Sequence, residues 1–173
     1  MIIERTWSMP NSETFKIKPI KDLLTQEIVS GILLDPFARN SDLSNSMVKV
    51  ITNDLNPDCK TDYHMEATEF LKQFPDNYAD GVLFDPPYST SQIKECYNGI
   101  GIKEFNGRID FYSKAKDEIA RVCKPSGKVI CFGWSSMGMG KGRGFEMQKI
   151  LLVPHGGTKN DTICTVEKKE LIE

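Results

Sequence analysis

Gly81-Val82-Leu83-Phe84-Asp85-Pro86-Pro87-Tyr88 joins an apolar run to a carboxylate and two prolines. A short apolar run before a turn signal is typical of a buried strand. The prolines remove two backbone donors and fix their own φ angles, so a strand ladder cannot continue past Asp85. We therefore expect a strand over 81–84 whose carboxyl end presents Asp85, followed by a rigid segment that ends in Tyr88. A rigid turn with a surface tyrosine is the simpler alternative.

The chemistry of this segment suits a planar amino group. The Asp85 carboxylate and the neighbouring main-chain carbonyls are hydrogen-bond acceptors, and a nucleic-acid base presents donors on its exocyclic nitrogen. Tyr88 supplies an aromatic face on which a base taken out of its helix can stack. The segment therefore indicates a site that holds the amino group of a base.

Two further apolar runs also end on a carboxylate. Ile32-Leu33-Leu34 runs into Asp35, and the strand pattern over 48–52 runs into Asp54. In a parallel α/β sheet, ligands bind beyond the carboxyl ends of the strands, near the point where the strand order reverses. A carboxylate after the second strand accepts hydrogen bonds from ribose hydroxyls, although it is also a common turn former or helix cap. The three carboxylates therefore predict a nucleoside-cofactor site.

The remaining periodicities predict one α/β domain over 1–173. Residues 1–11 are predicted to be irregular, and the least structured loops, 89–110 and 135–144, are candidate functional loops. Helical patterns alternate with apolar strands, and the chain ends in two strands joined by a turn-rich segment. This order predicts a mostly parallel sheet with an antiparallel edge. The helical patterns cover 20–29, 68–74 and 111–122, and the later strands cover 128–132, 149–153 and 162–166.

Composition excludes several classes of protein. A chain of 173 residues can bury one substantial core, and 27% charged residues are ordinary for a globular protein. No apolar run approaches the roughly 20 residues that a membrane span needs. Residues 1–5 lack the basic-then-apolar layout of a secretory signal, so we expect a cytoplasmic protein with no membrane partner.

The cysteines do not predict a metal site. The five cysteines are scattered without a C-x-x-C pair, and the chain has only two histidines. Cys123 and Cys131 lie in apolar segments and are expected to be small core residues.

The charge pattern leaves room for a nucleic-acid partner. A net charge of -2 lacks the overall basic footprint of many nucleic-acid enzymes, but the basic residues are unevenly spread. Lysines cluster over 16–21, and Lys141 and Arg143 stand in a glycine-rich stretch that could close on a phosphate backbone. We expect contacts to nucleic acid from Ser89, Lys141 and Arg143.

At this point a family resemblance is evident. Asp85-Pro86-Pro87-Tyr88 resembles the D-P-P-Y motif of amino-methyltransferases, chiefly the DNA adenine-N6 and cytosine-N4 methylases. The segment 34–39 resembles the D-P-F-x-G segment with which these enzymes bind S-adenosylmethionine. Asp54 matches their ribose-binding acid, and Glu66 falls where a residue near the cofactor adenine is expected. The resemblance covers 32 to about 132 and implies the Rossmann-like fold of S-adenosylmethionine-dependent methyltransferases.

The resemblance also implies roles for individual residues. Asp85 and the Pro86 carbonyl would grip the target amine, Pro87 would keep the segment rigid, and Tyr88 would stack on the flipped base. An Asp at the first motif position favours adenine, because the cytosine-N4 enzymes more often carry Ser there. The resemblance implies no metal. The implied cofactor-binding residues are Phe15, Asp35, Pro36, Phe37, Ala38, Asp54, Glu66 and Asp85.

Two alternatives stay open. RNA base-amino methylases carry similar motifs, so RNA can replace DNA as the substrate. Ala38-Arg39-Asn40 lacks the glycines with which the family brings its backbone close to the cofactor, which leaves a non-catalytic, methyltransferase-like binding subunit as the second alternative. We expect no separate target-recognition domain within 1–173, so target choice is expected to fall to the loops 89–110 and 135–144 or to a protein partner.

Overall fold

The computed structural model describes residues 1–102 and 110–171, and these residues form a seven-stranded sheet. The strand order is β1-β6-β7-β5-β4-β2-β3. Strand β7 runs antiparallel to both of its neighbours, β5 and β6, and the other pairs are parallel. The strands are β1 Ile2–Arg5, β2 Gly31–Asp35, β3 Val48–Thr52, β4 Ala79–Phe84, β5 Cys123–Gly133, β6 Phe145–Val153 and β7 Thr162–Lys169.

Helices cover both faces of the sheet. On one face, α2 and α4 bury residues such as Phe70 and Ile119 against the strands, and on the other face α1 buries Ile20 and Leu24. Helix α4 forms because its buried apolar residues, Phe111, Ala115, Ile119 and Val122, recur at helical spacing and form one face. The helices are α1 Lys18–Glu27, α2 Ala67–Leu71, α3 Thr90–Gly99 and α4 Phe111–Val122, and short 3-10 turns cover Thr14–Lys16 and Lys141–Arg143.

The predicted α/β architecture is confirmed, and the structure shows the switch point, where the strand order of the sheet reverses. Strand β2 has β3 on one side and β4 on the other, so the strand order reverses between β2 and β4. Asp35 ends β2, and Asp85 directly follows β4. Both carboxylates therefore lie at the edge where ligands of parallel sheets bind.

The N-terminal segment was predicted to be irregular, and this was wrong for Ile2–Arg5. These residues form an edge strand parallel to β6, and all four side chains are exposed. Because no side chain is buried, the segment shows no alternation of apolar and polar residues. Pairing with the distant strand β6 decides its conformation.

The loop over 89–110 was also predicted to lack structure, and Thr90–Gly99 is instead helix α3. The Ser89 hydroxyl caps it by accepting from the Gln92 N–H at 3.2 Å, and the Gln92 side chain accepts from the Tyr88 N–H at 2.6 Å. Ile93 is the buried residue of α3, so the helix shows little apolar periodicity. The part of the predicted loop over 103–109 lies outside the described residues.

Strand β5 begins earlier than expected. Its first residue pairs with Ala79, and the register then shifts before Gly81, so residues 124–127, which lie between the predicted helix and the predicted strand, belong to a bulged ladder. Cys123 and Cys131 are buried, which confirms them as core residues. Within the described ranges no helix is both long and apolar enough to cross a membrane.

Candidate active site

The fold brings together the three predicted carboxylates. Asp35 is 1% exposed, and one of its carboxylate oxygens accepts from the Phe37 N–H at 3.1 Å. Burial raises the pKa of the Asp35 carboxyl well above its usual value, and the negative charges of Asp85 and Asp54 raise it further. Since both charges act on Asp35, the ends of β2, β3 and β4 form one electronegative site.

Two hydroxyl-bearing side chains act on Asp85. The Tyr88 hydroxyl donates to Asp85 Oδ1 at 2.7 Å. Burial raises the pKa of the Asp85 carboxyl, while Tyr88, the Thr14 side chain and the positive charge of Arg39 oppose the rise. A carboxylate has about four lone-pair sites, so Asp85 keeps capacity for a further donor. The sequence analysis did not identify Thr14 as a site residue, because no local sequence pattern indicates it.

An aromatic pair stands beside Asp85. The Tyr88 and Trp134 rings meet edge to face, with centroids 5.7 Å apart, and Trp134 is 42% exposed. Trp134 directly follows strand β5, so it lies at the same edge of the sheet as Asp85. This position could have identified Trp134 from the sequence, because a residue that follows a parallel strand lies at the edge of the sheet where ligands bind. A planar ligand can contact aromatic surface on both residues of this pair.

The two prolines are clamped from outside the strand. Pro86 is buried, and the Pro87 carbonyl accepts from the Tyr112 hydroxyl at 2.6 Å. Helix α4 therefore fixes the segment from one side, while the cap of α3 fixes Tyr88 from the other. The rigidity predicted from the prolines is reinforced by tertiary contacts.

The first loop is fixed by a buried asparagine. The Asn53 side chain donates to the Pro36 and Met65 carbonyls at 3.0 Å each and accepts from the Met65 N–H. The Ala38 N–H donates to the Asn53 carbonyl at 2.9 Å, and Ala38 is 3% exposed. One side chain thus joins the loops that follow β2 and β3.

Arg39 takes the place of the expected glycine. Its φ angle is 53°, in the left-handed region that glycine adopts without strain. Its N–H donates to Asp54 Oδ2 at 3.0 Å, and its guanidinium donates to the Ser12 carbonyl at 2.8 Å. The loop therefore keeps a glycine-like backbone without a glycine.

Comparisons with known proteins agree on the architecture. No family model matches the chain. TrmN from Thermus thermophilus superposes with a TM-score of 0.61 at 18% identity, over 88% of this chain and 49% of that one. A putative methyltransferase, YhhF from Escherichia coli, superposes with a TM-score of 0.58 at 11% identity, over 96% and 92%.

A third solved structure carries ligands. The 1,6-didemethyltoxoflavin-N1-methyltransferase of Burkholderia thailandensis, solved with S-adenosylhomocysteine bound, superposes with a TM-score of 0.61 at 13% identity, over 89% of this chain and 78% of that one. The sheet of this chain has the Rossmann-like fold of S-adenosylmethionine-dependent methyltransferases.

One curated protein adds a sequence match. The type II methyltransferase M.BamHI of Bacillus amyloliquefaciens is 37% identical over 71 residues. The match covers 40% of this chain and 16% of that protein, so the chain matches only a small part of its relative's length.

Within this methyltransferase fold, the predicted cofactor residues differ in their surroundings. The Phe37 ring lies between Phe84 and Phe111, with centroid distances of 5.8 and 6.1 Å. The Phe15 ring packs against Phe132 at 5.1 Å and is buried in the core. Phe37 thus packs with the core on the α4 side of the sheet, and Phe15 belongs to the core on the α1 side.

Two predicted cofactor acids already accept backbone hydrogen bonds. Asp54 accepts from the N–H groups of Arg39 and Asn56, and Glu66 caps helix α2 by accepting from the Thr68 N–H at 2.8 Å. These bonds orient both carboxylates and leave lone pairs for a ligand.

The predicted nucleic-acid contacts also have structural partners. Ser89 caps α3, as described above. The Arg143 guanidinium pairs with Asp117 at 2.7 Å and donates to Ser113 at 3.0 Å, which ties the glycine-rich loop to α4. Lys141 is exposed.

Proposed function

We propose that the chain is an S-adenosylmethionine-dependent methyltransferase that methylates the N6 amino group of adenine in DNA. The observation that carries the proposal is the Asp85 carboxylate at the switch point of the sheet, beside the aromatic pair of Tyr88 and Trp134. An acceptor and flat aromatic surfaces together match the donor edge and the faces of a flipped base.

The amine is positioned by acceptors. The target N–H groups donate to Asp85 and to the Pro86 carbonyl, because the Pro87 carbonyl is occupied by Tyr112. Holding both hydrogens turns the nitrogen lone pair away from the carboxylate. Transfer to a neutral amine depends mainly on this alignment, and the extra proton leaves after the new N–C bond has formed.

The cofactor, when bound, supplies an activated methyl group on a sulfonium, from which a thioether departs. Asp54 accepts from the ribose hydroxyls, Glu66 lies toward the adenine, and Phe37 packs against the cofactor. Asp35, Pro36 and Ala38 shape the loop, and Phe15 belongs to the N-terminal segment that we assign to the cofactor side. The glycine-like backbone at Arg39 fits this assignment, since the loop can approach a ligand closely despite its composition.

DNA is the favoured substrate because Asp85-Pro86-Pro87-Tyr88 resembles chiefly the motif of DNA amino-methylases, and the partial sequence match to a type II methyltransferase is consistent with a methylase of this kind. Ser89, Lys141 and Arg143 are assigned to the nucleic-acid strand, and target choice comes from the loops around them or from a protein partner. RNA is the competing substrate. The solved structures of similar fold include an rRNA methylase from Streptococcus thermophilus, at 12% identity.

The direct test uses S-adenosylmethionine with a labelled methyl group and offers adenine-containing duplex DNA, single-stranded DNA and RNA in competition. We expect label on adenine N6 in DNA, identified by mass spectrometry of the digested product. Transfer to RNA alone would overturn the DNA assignment. Cofactor binding without transfer to any nucleic acid would favour the non-catalytic subunit.

Asp85→Ala tests the acceptor. We expect the transfer rate to fall at least about a hundredfold, because the amine is no longer aligned, while the circular dichroism spectrum is unchanged. Asp22→Ala, which removes a carboxylate from the exposed face of α1, is the matched control and should transfer at the normal rate. An unchanged rate in Asp85→Ala would refute the assigned role.

The pH dependence follows from the same residue. Burial raises the pKa of the Asp85 carboxyl, and only the ionised form accepts two donors fully. The transfer rate should therefore decline as the pH falls through this raised pKa, and it should be level above it. A rate that rises on acidification would contradict the role of Asp85 as an acceptor.

A further inference from the structure

Arg39 keeps a bulky side chain where the backbone favours glycine. A left-handed φ costs an L-residue roughly 1–2 kcal/mol, and strain of this kind gathers at functional sites. The strained backbone of Arg39 is held by the hydrogen bond from its N–H to Asp54 Oδ2. A glycine at position 39 would adopt this backbone conformation without strain, but the chain has an arginine there.

The Arg39 guanidinium brings positive charge to an electronegative site. It donates to the Ser12 carbonyl at 2.8 Å, two residues before Thr14, whose side chain acts on the Asp85 carboxyl. Its charge also lowers the pKa of the Asp85 carboxyl. The guanidinium thus contacts the N-terminal segment, and its charge acts on the carboxylate that follows β4.

The first loop has no other obvious receptor for an anion. Helix N-termini are the common binding place for carboxylates and phosphates, because their free N–H groups and dipole attract negative charge. Residues 36–47, all of which the structure describes, contain no helix. A ligand with an anionic group at this end of β2 must therefore find its counter-charge on a side chain.

We propose that Arg39 binds the carboxylate of the amino-acid part of the cofactor, an inference that rests on the proposed function. S-adenosylmethionine carries an ammonium, a sulfonium and one carboxylate. The aspartates attract the two cations and repel the carboxylate, and Arg39 offsets the repulsion. A guanidinium has five donors, so a carboxylate can be held as a two-pronged pair without loss of the bond to Ser12.

Two ligands separate this role from a purely structural one. S-adenosylhomocysteine carries the carboxylate, and 5′-methylthioadenosine lacks the amino-acid part. By titration calorimetry, Arg39→Gln should weaken S-adenosylhomocysteine binding about tenfold or more, while 5′-methylthioadenosine binding changes less than about twofold. Arg39→Lys keeps the positive charge but lacks the planar guanidinium that binds a carboxylate with two hydrogen bonds. Its affinity for S-adenosylhomocysteine should lie between those of the wild-type protein and Arg39→Gln.

The control is Lys21→Gln, which removes one positive charge from the exposed side of α1 and should bind both ligands as wild type does. An equal loss for both ligands in Arg39→Gln would overturn the proposal and make Arg39 a structural tie to Ser12. Unchanged binding of both would overturn it as well. Absence of S-adenosylhomocysteine binding in the wild-type protein would instead overturn the proposed function, and this inference with it.

Discussion

Two loops leave the carboxyl edge of the sheet with opposite compositions. The first loop, 36–47, contains no glycine, and the glycine-rich loop, 134–144, contains Gly138, Gly140, Gly142 and Gly144. From the sequence, the first loop was predicted to depart from the family because it lacks the family's glycines. The glycine-rich loop was predicted to be a loosely structured functional loop. The structure shows a glycine-like backbone at Arg39 in the first loop and an anchored glycine-rich loop.

A buried carboxylate anchors the glycine-rich loop. Glu167 is 1% exposed and accepts from the N–H groups of Met139 and Gly140. From helix α4, Lys116 donates to the Gly138 carbonyl. The comparison teaches that glycine content alone does not report mobility, because the partners of a loop decide how firmly it is held.

The largest expected effect comes from removing the anchor. Glu167→Ala leaves the buried N–H of Met139 and the half-buried N–H of Gly140 without acceptors. A buried group left unpaired costs roughly 1–3 kcal/mol, so we expect a loss of about 3 kcal/mol in the free energy of unfolding. Urea denaturation measures it. Glu167→Gln keeps one acceptor oxygen and should lose about half as much. A loss below about 1 kcal/mol in Glu167→Ala would mean that the loop is held elsewhere.

The next effect tests the contact between loop and anchor. Gly138 has a φ angle of 49°, and a Cβ at this position would overlap the Glu167 carboxylate. Gly138→Ala should therefore destabilise the protein by about 2 kcal/mol in the same urea assay. The matched control is Gly142→Ala, since a Cβ there meets no atom within 4 Å, and it should change stability by less than about 0.5 kcal/mol. Equal effects of the two substitutions would refute the close contact.

A smaller effect isolates the backbone of the first loop. Arg39→Ala and Arg39→Gly both lose the guanidinium and its bond to Ser12, so their difference reports the cost of the left-handed φ angle. We expect Arg39→Ala to be less stable than Arg39→Gly by about 1 kcal/mol in thermal and urea unfolding. Equal stabilities would show that the loop relaxes out of this conformation once the side chain is shortened.

The smallest effect concerns the surface tie of the glycine-rich loop. Arg143 pairs with Asp117, whose side chain is 63% exposed, and exposed ion pairs contribute at most about 1 kcal/mol. Arg143→Gln should therefore lower the free energy of unfolding by less than about 1 kcal/mol, and 0.5 M salt should reduce the difference. A loss as large as that of Glu167→Ala would make the surface pair the main anchor.

Local signals accounted for the central part of the fold. Strands β2, β3 and β4 were predicted with the carboxylates that follow them, and α4 was predicted with its observed bounds, 111–122. These elements show strong apolar patterns because both faces of the central sheet are covered. Strand β1 and helix α3 were missed, because an edge strand with exposed side chains and a helix with one buried residue carry little pattern.

The same division applies to the candidate site. The motif Asp85-Pro86-Pro87-Tyr88 was readable because two prolines impose their geometry locally. Thr14 was not readable, because it acts on Asp85 from an element far away in the sequence, and the contact of Trp134 with Tyr88 was likewise not readable, although its place after a predicted strand was. A motif is recognised by the fixed spacing of its residues along the chain, and contacts between distant segments have no such spacing.

By itself, the sequence determined where the central strands end, which carboxylates follow them and where proline stops a strand, since each depends on neighbouring residues. Only the tertiary structure decided that Arg39 adopts a glycine-like conformation and that Glu167 holds the glycine-rich loop. The physical reason is that both depend on hydrogen bonds between distant segments, whose free energy exists only after the sheet has assembled.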